Sequence, residues 1–154
     1  MNATEFLEQV KDADAKIDSK RAEERELWSL ATSMAQSNEG MPTGTSDPDK
    51  MTNIVQKIID AQKRTNAAID RYIDIRENVI QHIEKLPTKQ YQTLHWLYVR
   101  KREYRTKGQA WYYTWREVAE NLGCSEENIR KNRRRAIKNL QKILDSEQRL
   151  LEVE

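Results

Sequence analysis

A cluster of cations, carboxylates and amides lies between positions 116 and 138. Its candidate functional members are Arg116, Glu127, Asn128, Arg130, Lys131, Arg133, Arg134 and Lys138. Arginine and asparagine can form paired hydrogen bonds to base edges in a DNA groove, and other cations can bind backbone phosphates. A glutamate can accept a hydrogen bond from a cytosine amino group, although it also stabilises a helix N-terminus. The cluster favours DNA recognition over the alternative, a surface helix with a solvated basic face.

Local helix signals place most of this cluster on the second of two helices. Thr114 and Glu117 fit a capping box, in which each side chain accepts a hydrogen bond from the backbone of the other. Gly123 can take the left-handed conformation that ends a helix, and Ser125 is a good N-cap for the next one. This order predicts a helix-turn-helix. We expect its small core to contain Val118, Leu122, Ile129, Ala136, Ile137 and Leu140.

The distribution of charge along the chain points to a polyanionic partner. The formal net charge is only +2, but residues 1–86 hold 12 Lys/Arg and 16 Asp/Glu, whereas residues 87–154 hold 15 and 9. The two parts therefore differ in sign. Residues 100–142 alone contain 13 basic and 5 acidic residues. Such a concentration of positive charge attracts polyanions, of which nucleic acid is the most common.

Two long amphipathic segments precede the basic region. Apolar residues recur at steps of three and four from about Asn2 to Ser37, and again from about Asp49 to Leu86. This is the spacing of one helix face. The intervening residues, about 38–49, contain Gly and Pro and predict a loop. Because a lone helix cannot bury such a stripe, we expect a long antiparallel coiled-coil hairpin, which a second copy could widen into a bundle.

Pro87 separates the long segments from the basic region. It lacks an amide hydrogen and disfavours helical geometry at Leu86, so the second long helix should end there. The pattern then predicts a shorter helix from about Thr88 to Lys101. The basic and aromatic residues that follow, as far as Tyr113, predict a connecting loop or a short extra turn, and this segment is a candidate for a phosphate-contacting wing.

The stretches LPTKQYQTLHWLYV and TWREVAENLGCSEENIRKNRRRAIKNLQKIL resemble region four of bacterial sigma factors. The resemblance implies that the second helix is a recognition helix. The chain departs from the sigma pattern in a longer segment between Tyr98 and Thr114, and in having Asn132 where sigma factors place an apolar residue. The matching positions are Leu86, Pro87, Tyr98, Glu117, Val118, Ala119, Leu122, Gly123, Ser125, Ile129, Arg135, Ala136 and Ile137.

Nearly the whole chain, including MNATEFLEQV, LWSLATSM and DKMTNIVQKIIDAQKRTNAAIDRYIDI, is similar to small regulators encoded by phages and prophages of Gram-positive bacteria. These are the ArpU/RinA-type late-gene activators. The resemblance implies control of late phage genes for packaging, morphogenesis and lysis. Since the chain shows no other sigma region, we expect a regulator rather than a complete promoter-opening factor.

Other kinds of chemistry have little support in the sequence. His82 and His95 lack partners at metal-ligand spacing, and Cys124 is the single cysteine. The sequence contains no Gly-rich phosphate loop, nucleophile elbow or paired-carboxylate motif. We therefore expect no enzymatic activity, no cofactor and no metal. No stretch approaches the roughly 18 apolar residues of a membrane span, and no secretory signal is recognisable, so we expect a cytoplasmic protein without a membrane partner.

Together these patterns predict an all-α protein with two segments. Residues 1–86 would form the hairpin, for dimerisation or partner binding, and residues 87–154 the helix-turn-helix domain. We expect a sequence-specific activator that binds double-stranded DNA and acts with RNA polymerase. The hairpin would supply either a homodimer contact or a contact with RNA polymerase, and the sequence leaves both open. Two alternatives stay open: a DNA-packaging recognition subunit resembling a small terminase, and a coiled-coil adaptor that holds a protein partner.

Overall fold

The computed structural model describes residues 1–38 and 48–153, and within these ranges the chain is all-helical, as predicted. Residues 39–47, which make up most of the predicted loop, lie outside the described residues. No helix in the described ranges has both the length and the apolar character that crossing a bilayer requires. The described elements are α1 (Ala3–Asn38), α2 (Pro48–Ile83), α3 (Thr88–Leu94), a π-helical turn (His95–Val99), α4 (Trp115–Leu122) and α5 (Glu126–Val153).

The chain divides into two compact units. Unit 1 comprises Met1–Asp12 and Asp74–Glu154, and unit 2 comprises Ala13–Ile73. Each of the two long helices therefore contributes residues to both units. The predicted division into a hairpin of residues 1–86 and a helix-turn-helix domain of residues 87–154 stays a prediction.

Unit 2 is built from the larger parts of α1 and α2. Its buried apolar side chains recur at helical spacing, and a partly buried polar contact joins the two helices. The Thr65 hydroxyl lies 3.2 Å from a carboxylate oxygen of Glu24 and 3.0 Å from the carbonyl oxygen of Ala61. Both helices therefore share one core, whose buried apolar members are Ala13, Ile17, Ile54, Ile58 and Ala61.

The core of unit 1 joins α3, the π turn, α4 and α5. Four of the six predicted core residues of the last two helices are fully or almost fully buried, whereas Leu122 and Ile137 are half-buried. The ends of α1 and α2 also contribute to this unit. Its most deeply buried side chains are Leu7, Val10, Val79, Ile83, Leu94, Val99, Val118, Ile129 and Leu140.

Polar contacts attach the long helices to α5 within unit 1. The backbone N–H of Ala3 donates to Gln141 Oε1 at 2.7 Å. Glu147 lies 2.6 Å from Nε2 of His82 and accepts from Nζ of Lys85 at 3.1 Å. Two hydrogen bonds lower the pKa of the Glu147 carboxyl from its usual value. The bond with His82 has the larger effect, and the bond from Lys85 has the smaller one. The long α5 is thus anchored at its middle and near its end.

The predicted helix from about Thr88 to Lys101 is corrected by the structure. The α-helix ends at Leu94, the π turn continues to Val99, and Arg100 is extended. The N–H of Arg100 donates to the carbonyl of His95 at 2.8 Å, which closes the wider turn. Three consecutive residues of this turn, 97–99, are buried. In an amphipathic surface α-helix, at least one of three consecutive residues faces solvent. The π turn instead buries all three, which helical periodicity does not predict.

The local signals around α4 are confirmed. The Thr114 hydroxyl accepts from the backbone N–H of Glu117, and the Glu117 side chain accepts from the backbone N–H of Thr114, which completes the capping box. At the other end, Gly123 has φ +66° and ψ +36°, the left-handed conformation. The N–H groups of Gly123 and Cys124 donate to the carbonyls of Glu120 and Ala119, which satisfies the last turn of α4.

Candidate nucleic-acid interface

The exposed face of α5 carries most of the predicted site. Ile129, Ala136 and Leu140 are buried on the opposite face and fix the rotation of the helix. The polar N-terminal half is therefore presented to solvent. The exposed residues of this half are Glu126, Glu127, Asn128, Arg130, Lys131, Arg134, Arg135 and Lys138.

Three cations form a continuous stripe on this face. Lys131, Arg134 and Lys138 are spaced three and four residues apart, so their side chains are neighbours along the helix. Within the described part of the chain, none of the three has an ion pair or an intramolecular hydrogen bond, and the same holds for Arg130 on the adjoining flank. These cations are therefore available to an external anion.

Arg133 has a different environment from the other predicted contact residues. It is half-buried, its Nε donates to the Tyr98 hydroxyl at 2.7 Å, and its guanidinium lies over the ring of Trp115 at 5.4 Å. These contacts join α5 to the π turn and to the start of α4. Arg133 is thus separated from the exposed stripe, and sequence spacing alone did not indicate this.

The first turn of α5 presents the two predicted base readers. The Ser125 hydroxyl accepts from the backbone N–H of Asn128 at 3.2 Å, which confirms Ser125 as the cap. The side chains of Asn128 and Glu127 are exposed, and no hydrogen bond within the described ranges occupies them. Their donors and acceptors stay available beside the cationic stripe.

Arg116 lies on α4 rather than on α5. Its side chain is 81% exposed and forms an ion pair with Glu120 at 3.5 Å, one helical turn later. An exposed pair of this kind contributes little to stability, because water screens it. The Arg116 guanidinium can exchange this partner for a phosphate at small cost.

A partly buried ion pair between Arg102 and Glu117 fastens the 100–113 segment to α4. The guanidinium of Arg102 contacts both carboxylate oxygens of Glu117, and its Nε donates to the Ala110 carbonyl at 2.9 Å. The hydrogen bond from Arg102 and those from Thr114 lower the pKa of the Glu117 carboxyl to about 2. Glu117 therefore caps α4 and holds the segment at once. The sequence indicated the first role, but not the second.

The 100–113 segment forms a short paired loop with a basic, aromatic surface. Lys101 and Tyr112 form an antiparallel bridge, and the N–H of Arg102 donates to the Trp111 carbonyl at 2.9 Å. The Arg105 guanidinium and the Lys101 ammonium both lie over the Trp111 ring, at 4.9 and 5.2 Å from its centroid. The segment is thus a connecting loop, which is one of the two forms that the sequence predicted for it; the other was a short extra turn.

A polar cleft separates α3 from the turn between α4 and α5. Its volume is about 510 Å³, and none of the described carboxylates lines it. The backbone of the turn at Gly123 and Cys124 forms one wall. The polar side chains that line the cleft are those of Lys89, Gln92, Thr93, Asn128, Asn132 and Arg135. Of these residues only Asn128 belongs to the predicted site. The sequence did not indicate the others, because they come together only when α3 packs on α5.

The described residues hold no group of three or more His, Cys, Asp or Glu arranged to bind a metal ion. No protein-family model, no curated protein and no solved structure matches this chain.

Proposed function

We propose that this protein is a sequence-specific, double-stranded-DNA-binding regulator of transcription that uses α5 as its recognition helix. The observation that carries the proposal is the stripe of Lys131, Arg134 and Lys138, which is exposed and forms no ion pair with any other described residue. Exposed cations of this kind can neutralise the backbone phosphates of a duplex. The stripe lies on the first turns of a helix that is firmly packed from behind.

The path from α4 to α5 supports a helix-turn-helix. A short helix ends at a left-handed glycine, and a serine-capped helix starts two residues later. In such motifs the N-terminal residues of the second helix contact bases and the first helix crosses the backbone. We assign base reading to Asn128 and Glu127, and phosphate binding to the cationic stripe, to Arg130 and to Arg116.

The 100–113 loop supports an additional backbone contact. Tyr104 is 86% exposed, and Arg105 and Lys107 beside it are exposed as well. The bridge and the Arg102–Glu117 pair hold this loop at the N-terminal end of α4. We assign it the role of a wing that contacts phosphates beside the groove.

Unit 2 supports a coiled-coil hairpin for a protein partner. Glu24 lies beside Thr65, and residues 28–35 share an apolar cleft with residues 51–62, which fits antiparallel helices. Trp28, Val55 and Ile59 are large apolar side chains that are between 40% and 51% exposed. A contiguous apolar surface of this kind favours a protein contact. We propose a second copy of the chain or host RNA polymerase as the partner.

The resemblance to phage late-gene activators supports late phage genes as the targets and the bacterial cytoplasm as the location. The exposed apolar surface of unit 2 also favours a protein-binding adaptor as a second candidate. A small-terminase-like packaging subunit would combine the same two elements in a ring. Genome-wide mapping of bound DNA during prophage induction separates these functions, because an activator gives promoter peaks, a packaging subunit gives packaging-site peaks, and an adaptor gives none.

The direct test of the DNA-binding surface is the double variant Arg130→Ala/Arg134→Ala. We expect it to abolish binding to a promoter fragment in a gel-shift assay while its circular dichroism stays unchanged. The double variant Lys63→Ala/Arg64→Ala in α2 is a matched control, since it removes two exposed cations from unit 2. Equal affinity of the double variant and the control would refute the assignment of α5 as the recognition helix.

A further inference from the structure

We propose that the polar cleft between α3 and the α4–α5 turn binds a phosphate group, which duplex DNA supplies when it lies on α5. The inference deepens the proposed function and rests on it for the source of the phosphate. It adds Lys89 and Gln92 of α3, and Asn132 and Arg135 of α5, to the nucleic-acid contact surface.

Four of the side chains that line the cleft have no polar partner among the described residues. Lys89, Gln92, Asn132 and Arg135 take part in no ion pair and no side-chain hydrogen bond within the described ranges. Thr93 differs, because its hydroxyl donates to the Lys89 carbonyl at 2.8 Å. Two cations and two carboxamides therefore converge on one cavity with their donor groups unused.

The chemistry of the lining selects an oxyanion. Among the residues that the structure describes, no carboxylate lines the cleft and competes for the two cations. The backbone N–H groups of Gly123 and Cys124 already donate to α4 carbonyls, which leaves the side chains as donors. Ammonium, guanidinium and amide N–H groups together match the several acceptor oxygens of a phosphate.

The position of the cleft favours a phosphate of the DNA backbone. Asn128, Asn132 and Arg135 lie three and four residues apart on α5 and form the flank next to the exposed stripe. Asn128 belongs to both surfaces, since it lines the cleft and is a candidate base reader. A strand whose bases meet Asn128 brings its phosphates toward this flank.

The same geometry accounts for the polar residue at position 132. Asn132 is half-buried and lines the cleft, where its carboxamide can donate a hydrogen bond to a bound phosphate. An apolar side chain at this position would close part of the cavity and remove a donor.

The test compares the full-length protein with the double variant Lys89→Gln/Arg135→Gln and with the Lys63→Gln control. Binding to a short mixed-sequence DNA duplex is measured over a series of sodium chloride concentrations. We expect the slope of log affinity against log salt to become shallower by about 0.9 for each phosphate contact that is lost. The control should keep the wild-type slope. In a second arm, inorganic phosphate is titrated while the side-chain NH₂ signals of Asn132 are followed by NMR.

The outcomes are distinct. A shallower slope for the double variant supports a backbone phosphate in the cleft. An unchanged slope, together with Asn132 shifts that saturate with inorganic phosphate, rejects DNA as the source and identifies a free phosphate as the ligand. An unchanged slope without such shifts overturns the site. If the wild-type protein binds no duplex at any salt concentration, the proposed function fails, and the phosphate titration alone decides whether the cleft binds phosphate.

Discussion

Arg133 donates a hydrogen bond from Nε to the hydroxyl of Tyr98 at 2.7 Å, and this contact joins the recognition-helix candidate α5 to the π turn. The next residue, Arg134, is exposed and has no internal partner within the described ranges. Two adjacent arginines thus have different roles. One positions α5, and the other is available to a ligand.

We predict that Arg133→Ala lowers the free energy of unfolding by about 1–3 kcal/mol, because it removes a charge-assisted hydrogen bond and aromatic contacts. Arg134→Ala should leave stability within about 0.5 kcal/mol of wild type and weaken DNA binding. Urea denaturation and gel-shift assays on both variants measure the two effects. Tyr98→Phe, which removes only the hydroxyl, should reproduce part of the stability loss. Loss of DNA binding without loss of stability in Arg133→Ala would contradict the positioning role.

The Arg102–Glu117 pair should make stability depend on acid pH. The pKa of Glu117 is lowered from 4.5 to about 2 in the folded protein. The stabilisation is therefore present above pH 4.5 and is lost as the pH falls toward 2. Glu117→Gln should remove this component. Denaturation series of both proteins between these pH values measure it, and parallel stability profiles would show that the pair does not contribute.

Gly123→Ala should destabilise the protein by about 1–2 kcal/mol, because a β-carbon disfavours the left-handed conformation. A β-carbon at this position meets no atom of the described residues within 4 Å, so the cost comes from the backbone conformation. Gly123→Asn should recover part of the loss, since asparagine tolerates this conformation better. Thermal unfolding compares the three proteins. Equal stability of the alanine and asparagine variants would point to another cause.

Ile58 and Ile59 of α2 are adjacent isoleucines that differ in burial, so their alanine variants separate core packing from surface contacts in unit 2. Ile58 is buried, whereas Ile59 is 40% exposed. We predict that Ile58→Ala lowers the free energy of unfolding by about 2–4 kcal/mol, since it leaves a cavity. Ile59→Ala should change it by less than about 1 kcal/mol and should weaken self-association or partner binding. Chemical denaturation and light scattering measure the two properties. Similar stability losses in both variants would argue against a free apolar surface on α2.

The sequence predicted those features that depend on neighbouring residues. The capping box at Thr114 and Glu117, the left-handed Gly123 and the Ser125 cap each involve a few consecutive positions, so their residue types are sufficient evidence. The long helices and the small core of α4 and α5 followed from periodicity.

Features that depend on distant residues were not predicted. The π turn results from the burial of three consecutive side chains, which only the tertiary packing imposes. Arg102 meets Glu117 across a loop of fifteen positions, and the spacing of Arg133 alone did not reveal its contact with Tyr98. Lys89 reaches the cleft because α3 packs on α5. In each case the partner is set by the fold rather than by the local pattern.

The positions of the indole rings give each unit its own optical signal. Trp28 is the single tryptophan of unit 2, while Trp96, Trp111 and Trp115 belong to unit 1. Each of the three unit 1 rings lies beneath a guanidinium, with Arg100 at 4.0 Å from the Trp96 centroid. Replacing Trp28 with Phe leaves tryptophan emission from unit 1 alone. Intrinsic fluorescence of that variant can then follow the unfolding of unit 1. It can also report the displacement of cations from the aromatic rings of unit 1 when a polyanion is added.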